Sequence, residues 1–219
     1  LNMKLPAKNI PVNQYGILRE VFLVSLCILL FAWLVSWPVP VKWLSFLPLT
    51  CAGLIIGPRL FNTALLRSGL FRLGPVRVLY CITGLLMGIA GALYYRGMYS
   101  MPLLPAWFHG FVLIAVCIGV MEELVFRGYI QGRLQSIHPA VAITGAALIH
   151  AGYKACLFLA PATSGITPVC LFFSWSFGAF LLIGLLRYFS NSIWPPILVH
   201  AVFDLLVYAE NTEAPVWVW

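Results

Sequence analysis

Seven apolar runs of near-spanning length divide the chain, at about 20 to 36, 43 to 57, 78 to 95, 106 to 124, 139 to 159, 167 to 186 and 193 to 209. A run approaching ~20 apolar residues is long enough to cross hydrocarbon as a helix, which satisfies its own backbone hydrogen bonds without water. The expected fold is all-α, a polytopic transmembrane helical bundle of about seven spans. Six to eight spans fit, because the run at 43–57 is short and LPAWFHG, residues 104–110, can begin or interrupt a helix. Composition agrees: 62% of residues are hydrophobic and mean hydropathy is +0.98. Only 9% are charged, against about a quarter in soluble domains.

Basic residues set the expected orientation, since positive charge resists translocation and collects in cytoplasmic loops. With the N-terminus in the cytosol, Arg59, Arg77, Arg127, Arg133 and Arg187 fall on the cytosolic side, and Lys42, Arg96 and Lys154 towards the other. The net charge of +7 then reflects loop asymmetry. A nucleic-acid partner would need a basic face that the sequence does not offer. The expected setting is an integral, multi-pass protein of a bacterial or archaeal plasma membrane. Residues 58–77, with Phe61, Leu65, Leu66 and Leu70 beside arginines, suit either an interfacial helix or an ordinary positive-inside loop. Trp217 and Trp219 suit interface anchors. The six cysteines sit singly in or beside apolar runs, as small buried hydrophobes do. No cleaved signal peptide is expected, because further spans follow the first run at once. The chain reads as a single membrane-embedded domain over 1–219, with its chemistry in 105–210.

An ionisable side chain in hydrocarbon costs several kcal/mol, so it persists mainly where it is paired or used. Glu122, Glu123 and Arg127 close the fourth run, His150 and Lys154 lie in the fifth, and His200 and Asp204 in the seventh. Three of six acids and two of four histidines thus fall within three apolar segments. Glu123 and Arg127 are i and i+4, on one helical face, and predict a charge-assisted pair. Glu122 points about 100° away and has no partner on its own helix. His200 and Asp204 are also i and i+4, so the carboxylate is expected to accept an imidazole N–H and fix its tautomer. Lys154 reads as a snorkelling residue near the outer end of its span, or as the mark of a polar cavity.

A glutamate with two histidines permits two chemistries. The carboxylate takes a proton from water while imidazoles place that water and stabilise an oxyanion, or the three hold Zn²⁺, which acidifies a bound water.

EELVFRG (122–128), a histidine in the next apolar segment (ALIHAGYK, His150) and HAVFD (200–204) resemble the EExxxR, FxxxH and HxxxN/D motifs of the CPBP family. That family contains the type II CAAX prenyl endopeptidases and the bacteriocin-processing and self-immunity membrane proteins. The usual phenylalanine of the second motif is Ala146 here. The resemblance implies an intramembrane glutamic endopeptidase in which Glu122 and His150 activate water, and His200 and residue 204 serve the oxyanion side. Glu123 and Arg127 support them. It implies no cofactor, with zinc the less favoured alternative.

Asp204 where an asparagine also occurs raises an electrostatic objection, because an ionised carboxylate repels an oxyanion. It would act protonated, or orient His200. The expected partners are the bilayer and a membrane protein or peptide substrate, cut near the cytosolic face beside a lipidated cysteine, a leader peptide or a C-terminal membrane tail. The competing class is a non-catalytic immunity or adaptor protein of the same fold. An ion-coupled transporter ranks last, because paired half-helices are not apparent. On the enzyme reading, Glu122→Ala and His150→Ala each abolish cleavage while the protein still accumulates folded in membranes. EDTA leaves cleavage unchanged, and a loss in EDTA that zinc restores would move the mechanism to metal.

Overall fold

The computed structural model describes residues 13–60, 75–159 and 168–213, which form an all-helical bundle without strands. Helix α1 spans Gln14–Val35, opened by the Asn13 side chain accepting the Gly16 amide. A 3₁₀ turn over Val41–Ser45 leads into α2, Phe46–Leu60. Helix α3 is Pro75–Met98. Helix α4, Phe111–Glu123, continues through a π-helical stretch, Leu124–Ile130, into α5, Gln131–Leu134. Helices α6 (Pro139–Cys156), α7 (Val169–Ser190) and α8 (Trp194–Val207) complete the described chain.

The expected runs each contain a helix, with one boundary corrected. The fourth rod does not end near residue 124 but runs unbroken to Leu134. Its charged residues continue the helix because Arg127 and Gln131 turn inward, where Phe180 and Gly184 of α7 offer backbone carbonyls. LPAWFHG lies in the irregular segment between α3 and α4. The interfacial helix considered over 58–77 and the anchors Trp217 and Trp219 fall largely outside the described residues.

Among the described residues, four helical segments have the length and apolarity to cross a membrane: Gln14–Val35, Val41–Arg59, Pro75–Met98 and Val169–Ser190. They carry broad exposed apolar faces, including Phe22, Leu54, Leu86 and Leu182. In lipid such faces are the correct surface, since the solvent there is itself apolar. The protein is thus an integral membrane protein. Helices α4, α6 and α8 are more enclosed and bring the buried polar residues to the interior.

Close helix approach depends on small residues. A Cβ at Gly84 would meet the Pro195 carbonyl, and one at Gly88 the Val199 carbonyl. Both glycines lie on one face of α3, and Ala92 extends that face by another turn. Without a hydrophobic drive between helices in lipid, such backbone contact supplies the packing.

Charged ties close both ends of the bundle. Glu20 on α1 binds Arg59 of α2 at 3.2 Å and Arg133 of α5 at 3.1 Å, and accepts the Tyr129 hydroxyl. At the opposite end of the sequence path, Arg96 is fully buried and donates to the Pro102 and Leu206 carbonyls and to Glu210 at 2.9 Å. Glu210 also accepts the Ala106 amide, and together these donors hold its carboxyl below the usual glutamate range.

Gly88→Leu is expected to force α3 off α8 and cost about 3 kcal/mol or more, at the upper end of overpacking losses. Thermal unfolding in detergent checks this, with Gly57→Leu, which meets open space, near wild type.

Candidate active site

The π-helical stretch begins directly after the adjacent glutamates. An i→i+5 turn is wider than an α turn and re-aims side chains, which is why such turns recur at functional sites. Here it allows one helix to serve two neighbours. Glu122 and Glu123 face α6 and α8, while Arg127 reaches His150 of α6 and the Phe180 carbonyl of α7.

Glu122, 6% exposed, is the centre of the cluster. Its Oε2 lies 3.1 Å from His150 Nε2 and 3.6 Å from His200 Nε2, and its Oε1 accepts from the Lys154 ammonium. Two imidazoles from different helices therefore converge on one carboxylate oxygen. The expectation that Glu122 lacks a partner on its own helix is met, but α6 and α8 supply partners that a single-helix reading does not contain.

His150 is fully buried and fixed on every side. Its ring is stacked between Phe126 at 3.9 Å and Phe180 at 3.6 Å, within 10° of parallel in both cases. Arg127 Nη1 lies 2.8 Å from Nδ1. A guanidinium only donates, so Nδ1 accepts and the ring proton sits on Nε2, directed at Glu122. Arg127 thereby sets the tautomer of His150.

The Glu123–Arg127 pair is present but loose, at 3.7 Å. The closer partner of Glu123 is His200, with Nδ1 at 3.0 Å from Oε1. Asp204 Oδ2 stands 3.7 Å from His200 Nε2, beyond hydrogen-bond length. This corrects the expected arrangement: Glu123 from another helix orients His200, and Asp204 does not. The physical reason is direction, since His200 presents Nδ1 to α4 and leaves Nε2 facing both Glu122 and Asp204.

With its rod running on to Leu134, Glu122 lies about 18 Å by helical rise from the end of α5, and His150 about 16 Å from the start of α6. The two meet at one level. The first turn of α8 carries Pro195 and Pro196, both buried. Ser192 Oγ accepts the Trp194 amide at 3.3 Å at the start of α8.

Lys154 follows the polar-cavity alternative and not the snorkelling one. It is 8% exposed, lies on Glu122 rather than at a membrane boundary, and stands 5.3 Å over the Tyr153 ring. Its signal was present in the sequence, as the i+4 neighbour of His150. Gly119 is a second participant: a Cβ there would overlap Asp204 Oδ2 and lie 3.0 Å from the His200 ring. The absent side chain makes room for both residues one turn before Glu122. Phe180 had no local signal, because only packing of α7 on α6 brings it to His150.

Residues 103–206, which hold this cluster, match the family described as type II CAAX prenyl endopeptidase Rce1-like. The match agrees with the resemblance of the three sequence motifs to the CPBP family. That family is one of proteases. No curated protein and no solved structure matches the chain significantly.

Gly119→Ala is expected to displace His200 and Asp204 and lower turnover by about 100-fold, the scale of a ~1 Å misplacement in an active site. Gly178→Ala, with open space around it, should match wild type when both are assayed on the same substrate.

Proposed function

We propose that this protein is an intramembrane glutamic endopeptidase that cuts a membrane-associated protein or peptide, with Glu122 as general base. The observation that carries this reading is the convergence of His150 Nε2 and His200 Nε2 on one oxygen of a buried glutamate. A carboxylate so placed accepts a proton from water, while the imidazoles hold the water and polarise the reacting carbonyl. The Arg127 contact keeps His150 as an Nε2–H donor, so the proton goes to Glu122 and His150 positions it. His200 and Asp204 serve the oxyanion side, with Glu123 fixing the His200 ring.

A non-metal mechanism is favoured by charge and reach. Zinc requires nitrogen and oxygen ligands at about 2.0–2.2 Å. Here Lys154 already places a positive charge on Glu122, and His200 Nδ1 is committed to Glu123. A dication would displace the first and compete with the second.

The N-terminus lies in the cytosol in this reading. Arg59 and Arg133, gathered on Glu20, mark the cytosolic end, and the Arg96–Glu210 tie marks the outer end. The substrate is a membrane protein or peptide reached from the cytosolic half of the bilayer, carrying a lipidated cysteine, a leader or a C-terminal membrane tail.

The test compares wild type with Glu122→Gln, each co-expressed with tagged candidate membrane proteins from the same genome, and reads the masses of the tagged proteins. A mass loss confined to wild type is expected, and it names the substrate and the cut site together. Identical masses with both variants folded would transfer the assignment to a non-catalytic immunity or adaptor role.

A further inference from the structure

The peptidase reading leaves one buried charge without a part in the chemistry. Lys154 is neither in the EExxxR motif nor in the two histidine motifs, yet its ammonium lies on the proposed base. The two oxygens of Glu122 are divided between kinds of donor. Oε2 lies 3.1 Å from His150 Nε2 and 3.6 Å from His200 Nε2, and Oε1 accepts from Lys154.

Charge balance shows what this placement can do. When a water lone pair forms a bond to the substrate carbonyl carbon, the carbonyl π pair moves onto oxygen. The water proton passes to Glu122. One negative charge has then left Glu122 and appeared on the former carbonyl oxygen. The attraction that holds the ammonium on Glu122 weakens as the oxyanion forms. In a low-dielectric interior the ammonium is then drawn towards the new anion.

The usual donor set on the oxyanion side is also depleted here. Asp204 carries a carboxylate where an asparagine would offer an amide N–H, and His200 commits Nδ1 to Glu123. A lysine has the properties this gap requires: a full charge, three donors and a flexible four-carbon stem.

We propose that Lys154 is a catalytic residue, held on Glu122 in the resting protein and transferring to the oxyanion as Glu122 takes the proton of the attacking water. As the C–N bond breaks, Glu122 returns that proton to the leaving nitrogen and the oxyanion re-forms its carbonyl. Lys154 then returns to the ionised Glu122. This inference rests on the peptidase reading of the site.

The experiment uses the substrate identified by co-expression and a phosphinate analogue of its scissile bond, whose tetrahedral anion resembles the oxyanion. Wild type, Lys154→Gln and Lys154→Arg are purified, checked for monodispersity, and assayed for kcat, KM and inhibition by the phosphinate. Lys154→Gln is expected to lose about 100-fold or more in kcat, as for loss of an oxyanion donor. KM should change little and phosphinate affinity should fall in parallel with kcat. Lys154→Arg, which keeps the charge, should recover part of both.

Wild-type values of kcat and phosphinate affinity in Lys154→Gln would overturn the proposal. So would a rise in KM that matches the loss of phosphinate affinity, because that is the behaviour of a residue that only supports the resting site. Should Lys154→Gln not fold, a folded Lys154→Arg that no longer binds the phosphinate overturns it, and one that retains binding supports it. Absence of wild-type cleavage would sink the peptidase reading and this inference together, whereas cleavage retained by Lys154→Gln sinks this inference alone.

Discussion

A buried charge in an apolar bundle must be paired, and in this protein that requirement ties four helices together. Removing one partner of a buried ion pair costs about 3–5 kcal/mol, because the other is left uncompensated in low dielectric. Glu122, Glu123, Arg127, Lys154 and Asp204 are all buried, and their partners come from α4, α6, α7 and α8. The cluster that would perform chemistry is thus also the polar core of the fold. Its geometry is constrained twice, by reactivity and by the need to leave no charge alone.

Packing explains how so many polar groups fit into one level. Gly84 and Gly88 bring α3 onto the backbone of α8, and Gly119 opens space on α4 for His200 and Asp204. The aromatic rings of Phe126 and Phe180 enclose His150 on both faces, which leaves its ring only the in-plane contacts with Arg127 and Glu122. Small residues set the distances between helices, and large ones fix the orientation of the reactive ring.

Much of this was readable from the chain. The apolar runs carried the helices, because a spanning segment must be apolar over its whole length. The rarity of charge made Glu122, Glu123, Arg127, His150, His200 and Asp204 stand out as one set. Pair assignments within that set were less readable. The i,i+4 spacing indicated Glu123 with Arg127 and His200 with Asp204, whereas the short contacts run between helices, from Glu123 to His200 and from Arg127 to His150. The end of the fourth rod was misplaced for a related reason, since hydropathy falls wherever charges are buried rather than solvated.

The sequence by itself determined that the chain is helical, membrane-embedded and equipped with a glutamate and two histidines on separate segments. Those properties depend on composition and on spacing along the chain, which are local. The tertiary structure decided which oxygen meets which nitrogen, that Glu123 orients His200, that Arg127 sets the His150 tautomer, and that Lys154 belongs to the site. These depend on how helices rotate and approach one another, and that is settled by the packing of small residues and by the pairing of the buried charges within the site.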